Sequence, residues 1–301
     1  MDPIELRRRN IYREGSIEST QAPLPQGVSA LACLDRCVEE AQKRFGSLQT
    51  GAEDQRLPSE AHLRRGIGIA CAIKNLGYSF GYPEQATATV ELFGGAHIEH
   101  AIVRTGAADV GQGVQTILRQ IAAEALGITP DMVEMICDDS HEAPNAGSAS
   151  ASRMTLVVGR AVHDAARAAL QSWEDEDRPA RGTVQYRPPA TTAFDPETTA
   201  CRPNYAYGYA AQAVEVEVNT LTGQVRVVSI ISVHDVGKAI KTASRWRGQI
   251  IGGIAQGLGY ALTEHFQVRE GRILTPNFTT YLLPTVLDMP ETIVPVILEP
   301  A

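Results

Sequence analysis

The sequence has no excess of positive charge. Its 301 residues carry 27 Lys and Arg against 35 Asp and Glu, a formal net charge of −8. No long basic stripe runs through it, which argues against nucleic acid as the main partner. Arg7, Arg8 and Arg9 form only a short run with Asp2, Glu5 and Glu14 around it, and read as a solvated helix face. No apolar stretch reaches the roughly 18 residues of a membrane span, and the first residues form no apolar signal region. Cysteine is scarce. The five present (Cys33, Cys37, Cys71, Cys137 and Cys201) include no Cys-x-x-Cys pair, so neither a disulfide framework nor a zinc or iron–sulfur site is visible. A reducing cytoplasm is the expected location.

What is present is ordinary for a globular protein: 44% hydrophobic and 21% charged residues, with enough length for a large core and one or two domains. Asp2-Pro3-Ile4-Glu5 reads as a helix start, with Asp2 capping and Pro3 at the first position. Leu31, Leu34, Val38 and Ala41 line one face of a second helix ending near Gly46. Cys33 and Cys37 lie one turn apart on it and read as packed thiols. Residues 2 to about 65 thus look helical and connective. From Gly66 the pattern turns to β-rich runs over Ile67–Ile73, Ala86–Phe93 and His97–Val103. A helix over Gly113–Leu126, a short strand Val133–Cys137, a polar loop Asp138–Ser150 and a long helix from about Ser152 to Leu170 follow. Residues 171–203, with four prolines before Cys201 and the acidic cluster Glu174–Asp177, read as an exposed crossover loop. Val214, Val216 and Val218 alternate with glutamates as a half-buried strand, returned by Asn219–Gly223 into Gln224–Val233. After the loop His234–Ser244 comes a helix over Gly248–Leu262, whose many glycines predict close contact with another backbone. The class is α/β or α+β with mixed sheets and two strand–loop–helix segments.

Three loops carry candidate chemistry. In Asp109-Val110-Gly111-Gln112-Gly113 the glycines lack a Cβ, so a ligand could touch backbone N–H groups, and the helix that follows offers orphan donors and a positive dipole end. Gln112 can donate and accept at once, which suits a flat heterocycle with a phosphate tail. Alone, this triplet also reads as an ordinary turn. Asn145–Arg153 is a run of small and hydroxyl residues feeding a helix, suited to cradling phosphate. Arg247-Gly248-Gln249 opens the glycine-rich helix, so each of the three loops is expected at a helix start. Other candidates are weaker. His97 and His100 fall on opposite faces of a strand. Asp138, Asp139, His141 and Glu142 could bind a cation but read better as a solvated loop. His234-Asp235 reads as a structural turn rather than an acid/base pair.

Taken in order, Asp2–Asn10, Asp109–Gly113, Ala151-Ser152-Arg153, Asp235-Val236-Gly237-Lys238 and Gly248–Gly259 resemble the molybdenum-binding subunit of the xanthine dehydrogenase and aldehyde oxidase family over nearly the whole chain. The resemblance implies a second molybdopterin-binding domain over 66–301, incomplete at its C-terminus, preceded by a connecting segment 1–65 from another cofactor-binding domain. It implies an oxidoreductase that hydroxylates an aldehyde or a purine-like N-heterocycle with oxygen from water. The cofactor would be a molybdenum pyranopterin in its cytosine dinucleotide form, with [2Fe–2S] clusters and FAD on partner subunits. By the same resemblance Gln112 and Gln249 hydrogen-bond the pterin. Val110, Gly111, Gly113, Ser150 and Ser152 hold pterin or phosphate, Ala151 lies against the metal without ligating it, and Cys71 lines the substrate pocket. The family's base is a glutamate in a Gly-Val-Gly-Glu stretch that this chain does not contain, and Glu299 sits in the wrong context for it. The chain is therefore expected to be inactive alone, and to need the remaining part of the molybdenum subunit together with iron–sulfur and FAD subunits. Lys238–Thr242 departs from the Asn-Pro of the family. The rival readings are a truncated, non-catalytic fragment and an unrelated phosphate-binding module.

Overall fold

The computed structural model describes residues 1–46, 48, 62–240 and 243–299. Part of the connecting segment (47 and 49–61), Lys241 and Thr242 of the departing loop, and Pro300 and Ala301 lie outside the described residues. The elements in chain order are α1 (Pro3–Asn10), α2 (Ala30–Phe45), β1 (Leu63–Leu76), β2 (Ala86–Gly94), β3 (Ile98–Arg104), α3 (Val114–Leu126), β4 (Val133–Ile136), α4 (Gly159–Glu174), β5 (Ala180–Tyr186), β6 (Ala206–Asn219), β7 (Val225–Asp235), α5 (Ala243–Leu262), β8 (Val268–Arg269), β9 (Arg272–Ile273) and β10 (Thr292–Ile297). Two compact units result: Met1–Glu14, Gly27–Ile73 and Gly208–Ala301 in one, Gly15–Gln26 and Lys74–Tyr207 in the other.

The unit built on 74–207 holds a four-stranded sheet in the order β4-β3-β2-β5. On β2, Ala86, Ala88, Val90 and Leu92 are buried at period two, with Thr87 and Glu91 only half-buried on the other face. β2 pairs antiparallel with both β3 and β5. β3 pairs parallel with β4, in the register Ala101↔Val133 to Arg104↔Ile136. Helices α3 and α4 pack on this sheet, because Val114, Leu118, Ala122 and Ala125 on one, and Ala161, Val162, Ala165 and Ala169 on the other, recur at helical spacing and are buried. Val90, Val103, Leu118, Val157 and Val162 are wholly buried, each contributing about 1.5–3 kcal/mol by leaving water.

The other unit holds the sheet β1-β6-β7-β10. β6 and β7 are antiparallel, and β10 runs parallel to β7. Helix α2 covers β7 with Ala30, Cys33, Leu34, Cys37, Val38 and Ala41. α1 is capped as its sequence predicts: Asp2 Oδ1 accepts from Ile4 N at 2.6 Å, and Pro3 occupies the first position. Among the described residues, no helix is long and apolar enough to cross a membrane.

Four expectations need correction or refinement. The long helix expected from about Ser152 is present from Met154, but its first turn is of a different kind. A π-helical turn, Met154–Val158, precedes α4, which continues to Glu174. The expected exposed loop 171–203 contains β5, whose inward residues Ala180 and Gly182 are small because α4 lies close: a Cβ on Gly182 would stand 2.6 Å from Ala169 N. α5 starts at Ala243, not Gly248. Among the described residues its glycines make no close backbone contact: a Cβ on Gly248, Gly252, Gly253 or Gly257 meets nothing within 4 Å, and one on Gly259 meets the side chains of Glu264 and Pro284.

Candidate functional site

Because β3 and β4 are parallel neighbours, their carboxyl ends share one edge of the sheet. Residues 105–113 leave β3 there and lead into α3. Residues 137–152 leave β4 at the same edge and lead into the π turn before α4. Gly106 N donates to Pro144 O at 2.8 Å, and Ala107 and Ala146 are both buried, so the two loops are stitched side by side. The carboxyl edge of parallel strands, with helices starting from it, is where α/β folds place their ligands.

The Gly-Gln-Gly loop is organised by Asp109. Its Oδ1 accepts from Gly111 N at 2.9 Å and Gly113 N at 3.1 Å. These bonds, Gly111's first, hold the Asp109 carboxyl below the usual carboxylate range. The glycine amides therefore turn inward onto a carboxylate instead of standing open to an anion, the arrangement expected from the sequence. Gln112 Oε1 accepts from Val110 N at 2.6 Å and its Nε2 donates to Ala108 O at 3.1 Å, while Val110 is itself exposed.

The serine loop is built differently. Gly147 N donates to Asn145 Oδ1 at 2.8 Å, Ser148 and Ser150 share a hydroxyl contact of 2.6 Å, and Ala151 and Ser152 both take left-handed backbone geometry at φ +53°. Ser150 and Ser152 are exposed and Ala151 is half-buried. Behind the loop lies Arg153, wholly buried and paired with Glu84 at 2.6 Å. Glu84 also accepts from Tyr205 Oη at 2.8 Å, and burial and then Glu84 push that phenol's pKa well up. Sequence reasoning gives Arg153 no role and misses Glu84, Tyr78 and Tyr205. The signal is there: Arg153 stands four residues before Val157 and eight before Ala161, on the buried face of the helical pattern, where a cation needs an anion. The turn leading to Glu84 also carries Phe80, exposed at φ +57°, whose N–H donates to Pro203 O.

The structure brings Gln112 and the Ser150–Ser152 corner to one edge of one unit. Gln249 and Cys71 belong to the other unit. Gln249 lies well inside α5 rather than at its opening, which removes the expectation of three loops each at a helix start. Cys71 is exposed on β1, its thiol raised by burial and lowered by Arg7. Cys33 and Cys37 are packed thiols, pushed up by burial to about 11 and about 12. His97 precedes β3, and His100 meets Glu134 at 3.1 Å. Asp139 accepts from His141 N and Glu142 from Arg104 Nε, and among the described residues no group of three ligating side chains could hold a metal ion. His234 Nε2 contacts Ser232 Oγ at 2.6 Å, while Asp235 Oδ1 accepts from Gly237 N, so the two are not a pair.

The donor set is neutral and short: the hydroxyls of Ser148, Ser150 and Ser152, with the small Ala149 and Ala151 between them, and the amide of Gln112, which is turned onto Val110 N and Ala108 O of its own loop. That chemistry fits a polar, flat group with a phosphate tail. Asp109 disfavours an anion at its own loop, so the serine loop suits a phosphate better than the Gly-Gln-Gly loop does.

Comparison with known proteins identifies the family. The family described as "Molybdopterin cofactor-binding domain" matches residues 40–178 and 168–290. The chain is 28% identical to a probable xanthine dehydrogenase subunit of Bacillus subtilis, over 97% of its own length and 41% of that protein's. It is 29% identical to the aldehyde oxidoreductase of Megalodesulfovibrio gigas, over 89% of its own length and 30% of the relative's. The crystal structure of the aldehyde oxidoreductase from Desulfovibrio desulfuricans superposes with a TM-score of 0.81 at 28% identity, covering 100% of this chain and 33% of that one. The chain thus spans about a third to two fifths of the length of these relatives. It belongs to the molybdopterin cofactor-binding domain family, the family of the molybdenum subunits of xanthine dehydrogenases and aldehyde oxidoreductases.

Proposed function

We propose that the chain forms part of the cofactor cradle of a molybdenum hydroxylase acting on an aldehyde or a purine-like N-heterocycle, with water as the oxygen source. The observation that supports this most is the pair of loops at the shared carboxyl edge of β3 and β4, one bearing Gln112 and the other Ser148, Ser150 and Ser152, the first two with their hydroxyls in contact. When bound, molybdopterin supplies two-electron redox chemistry at its metal. The chain's own residues bind and orient it. Gln112 hydrogen-bonds the pterin, with Val110, Gly111 and Gly113 forming the rim of that loop. Ser150 and Ser152 donate to the phosphate end of a cytosine dinucleotide form, and Ala151 keeps the space beside the metal clear. Gln249, on α5, is proposed as a pterin hydrogen-bond partner as well, and Cys71 as a substrate-pocket residue.

In this reading residues 66–301 are the body of a second molybdopterin-binding domain, and 1–65 the connection from a preceding one. The catalytic glutamate comes from outside the chain. The remaining part of the molybdenum subunit, a [2Fe–2S] subunit and an FAD subunit complete a cytoplasmic complex. The test is purification of the assembled protein from cells that express it, with metal analysis, acid hydrolysis of the cofactor and sequencing of associated chains. The expected result is about one molybdenum per copy of the chain, release of a cytidine nucleotide, and co-purifying iron–sulfur and flavin chains. A stable monomer free of metal overturns the reading.

A further inference from the structure

The serine loop is held from behind by one buried cation and one phenol. The guanidinium of Arg153 donates from Nε to Glu84 Oε1 at 2.6 Å. Its Nη1 donates to the carbonyls of Ala146 (2.6 Å) and Ser148 (3.2 Å), and its Nη2 to Gln85 O at 2.8 Å. Its Cζ stands over the ring of Tyr78, 5.0 Å from the centroid. Tyr78 closes the circuit. Its N–H donates to Glu84 Oε2 at 2.9 Å, its hydroxyl meets Ser148 Oγ at 2.7 Å, and the same oxygen accepts from Ser148 N at 3.2 Å. Next to it, Gly77 N donates to Ala151 O at 2.9 Å. Every one of these bonds ends on the loop 145–152 or on the turn that backs it.

An ion pair this deeply buried is a poor way to gain stability, because an apolar pair of similar volume does as well or better. A planar fork with five fixed donors is a good way to hold carbonyls in one arrangement. We propose that Arg153, Glu84 and Tyr78 are positioning residues that preset the left-handed Ala151–Ser152 corner and the hydroxyl row Ser148–Ser150–Ser152. The cofactor then meets a surface that needs no rearrangement to receive it. The inference rests on the proposed function only in naming what the loop receives.

The test uses the assembled complex in three forms: parent, Tyr78→Phe and Arg153→Lys. Tyr78→Phe removes one hydroxyl from a half-buried ring and leaves the ion pair intact, so the unit keeps its fold. Amide exchange at Ser148 is then about tenfold faster and release of molybdopterin about tenfold faster, the scale of losing an outer-shell support. Unchanged exchange at Ser148 together with unchanged release overturns the proposal. Arg153→Lys keeps the charge but loses the fork. Faster exchange confined to the loop 145–152 supports the proposal, and an equal rise throughout β2 and α4 shows a merely structural role and overturns it. Should Arg153→Lys not fold, Tyr78→Phe decides alone. A parent complex without molybdopterin sinks the functional reading instead, and the exchange at Ser148 still tests the positioning role.

Discussion

Gly147 shows how tightly single residues are specified around the serine loop. Its φ is +76°, and a Cβ placed there would stand 2.7 Å from Arg153 Nη1 and 3.0 Å from Nη2. The left-handed backbone alone costs an alanine about 1–2 kcal/mol, and the guanidinium cannot retreat without leaving Glu84 or the carbonyls it serves. Gly147→Ala is therefore expected to destabilise the chain by about 2–4 kcal/mol, read as a lower urea midpoint with an unchanged slope. His234 makes a different demand. Burial lowers its pKa, so the folded chain holds it neutral while the unfolded chain protonates it first. In the window below the ordinary histidine value, the unfolded state binds more protons and stability falls with falling pH. Above that window His234 has no effect. One such group gives a slope of at most about 1.4 kcal/mol per pH unit. His234→Gln should flatten the fall of the melting temperature with pH just below the ordinary histidine value relative to the parent, and an unaltered profile would show that His234 is not the titrating group.

At the scale of elements, the contact of α4 with β5 is the most demanding. Ala161, Ala165 and Ala169 present a small-residue face, and Gly182 of β5 receives it. Gly182→Val would drive two methyl groups into the helix backbone near Ala169 N, and overpacking of this kind costs about 1–3 kcal/mol or more. The expected outcome is a chain whose α4 amides lose protection before those of α2, in the other unit, which hydrogen exchange can resolve. The same contact explains what is legible in the sequence. Helices α2 and α3 are readable because large apolar residues recur on one face, and β2 because its buried positions alternate. β5 is not, because its inward residues must be tiny to let α4 approach, so the strand carries no alternating hydrophobic signal and Pro188 and Pro189 just after it suggest a loop. β10 escapes notice because a six-residue strand with Pro295 at its centre reads as a break, yet it forms an edge against β7. The start of α5 is misplaced because Gly248 looks like a hinge. The loops themselves are legible as small, hydroxyl-rich punctuation. The residues that hold them are not, since Glu84 and Arg153 are 69 positions apart and only the fold pairs them.

At the scale of the molecule, the decisive feature lies in the unit that holds α5. Tyr260, Phe266, Phe278, Val286 and Leu287 are 83%, 62%, 75%, 84% and 91% exposed, and Leu262, Val268, Ile273, Leu274, Leu282 and Leu283 are each about half exposed beside them in sequence. A soluble monomer rarely leaves so many large apolar side chains in water, and such surfaces ordinarily mark an interface. The chain spans 41% and 30% of the two relatives compared above, so further polypeptide is available in proteins of this family to cover it. If the proposed complex exists, the residues 260–287 are protected within it and unprotected in the chain expressed alone. Amide exchange over this segment should then be at least about tenfold slower in the complex, and the isolated chain should bind a hydrophobic dye and self-associate as its concentration rises. On the proposed function the isolated chain should also fail to retain molybdopterin, because the remaining part of the molybdenum subunit is proposed to complete the cradle. Equal exchange in the two states, with a dye-free monomer at high concentration, would mean that this apolar segment seats nothing and that the chain works without the partners assigned to it.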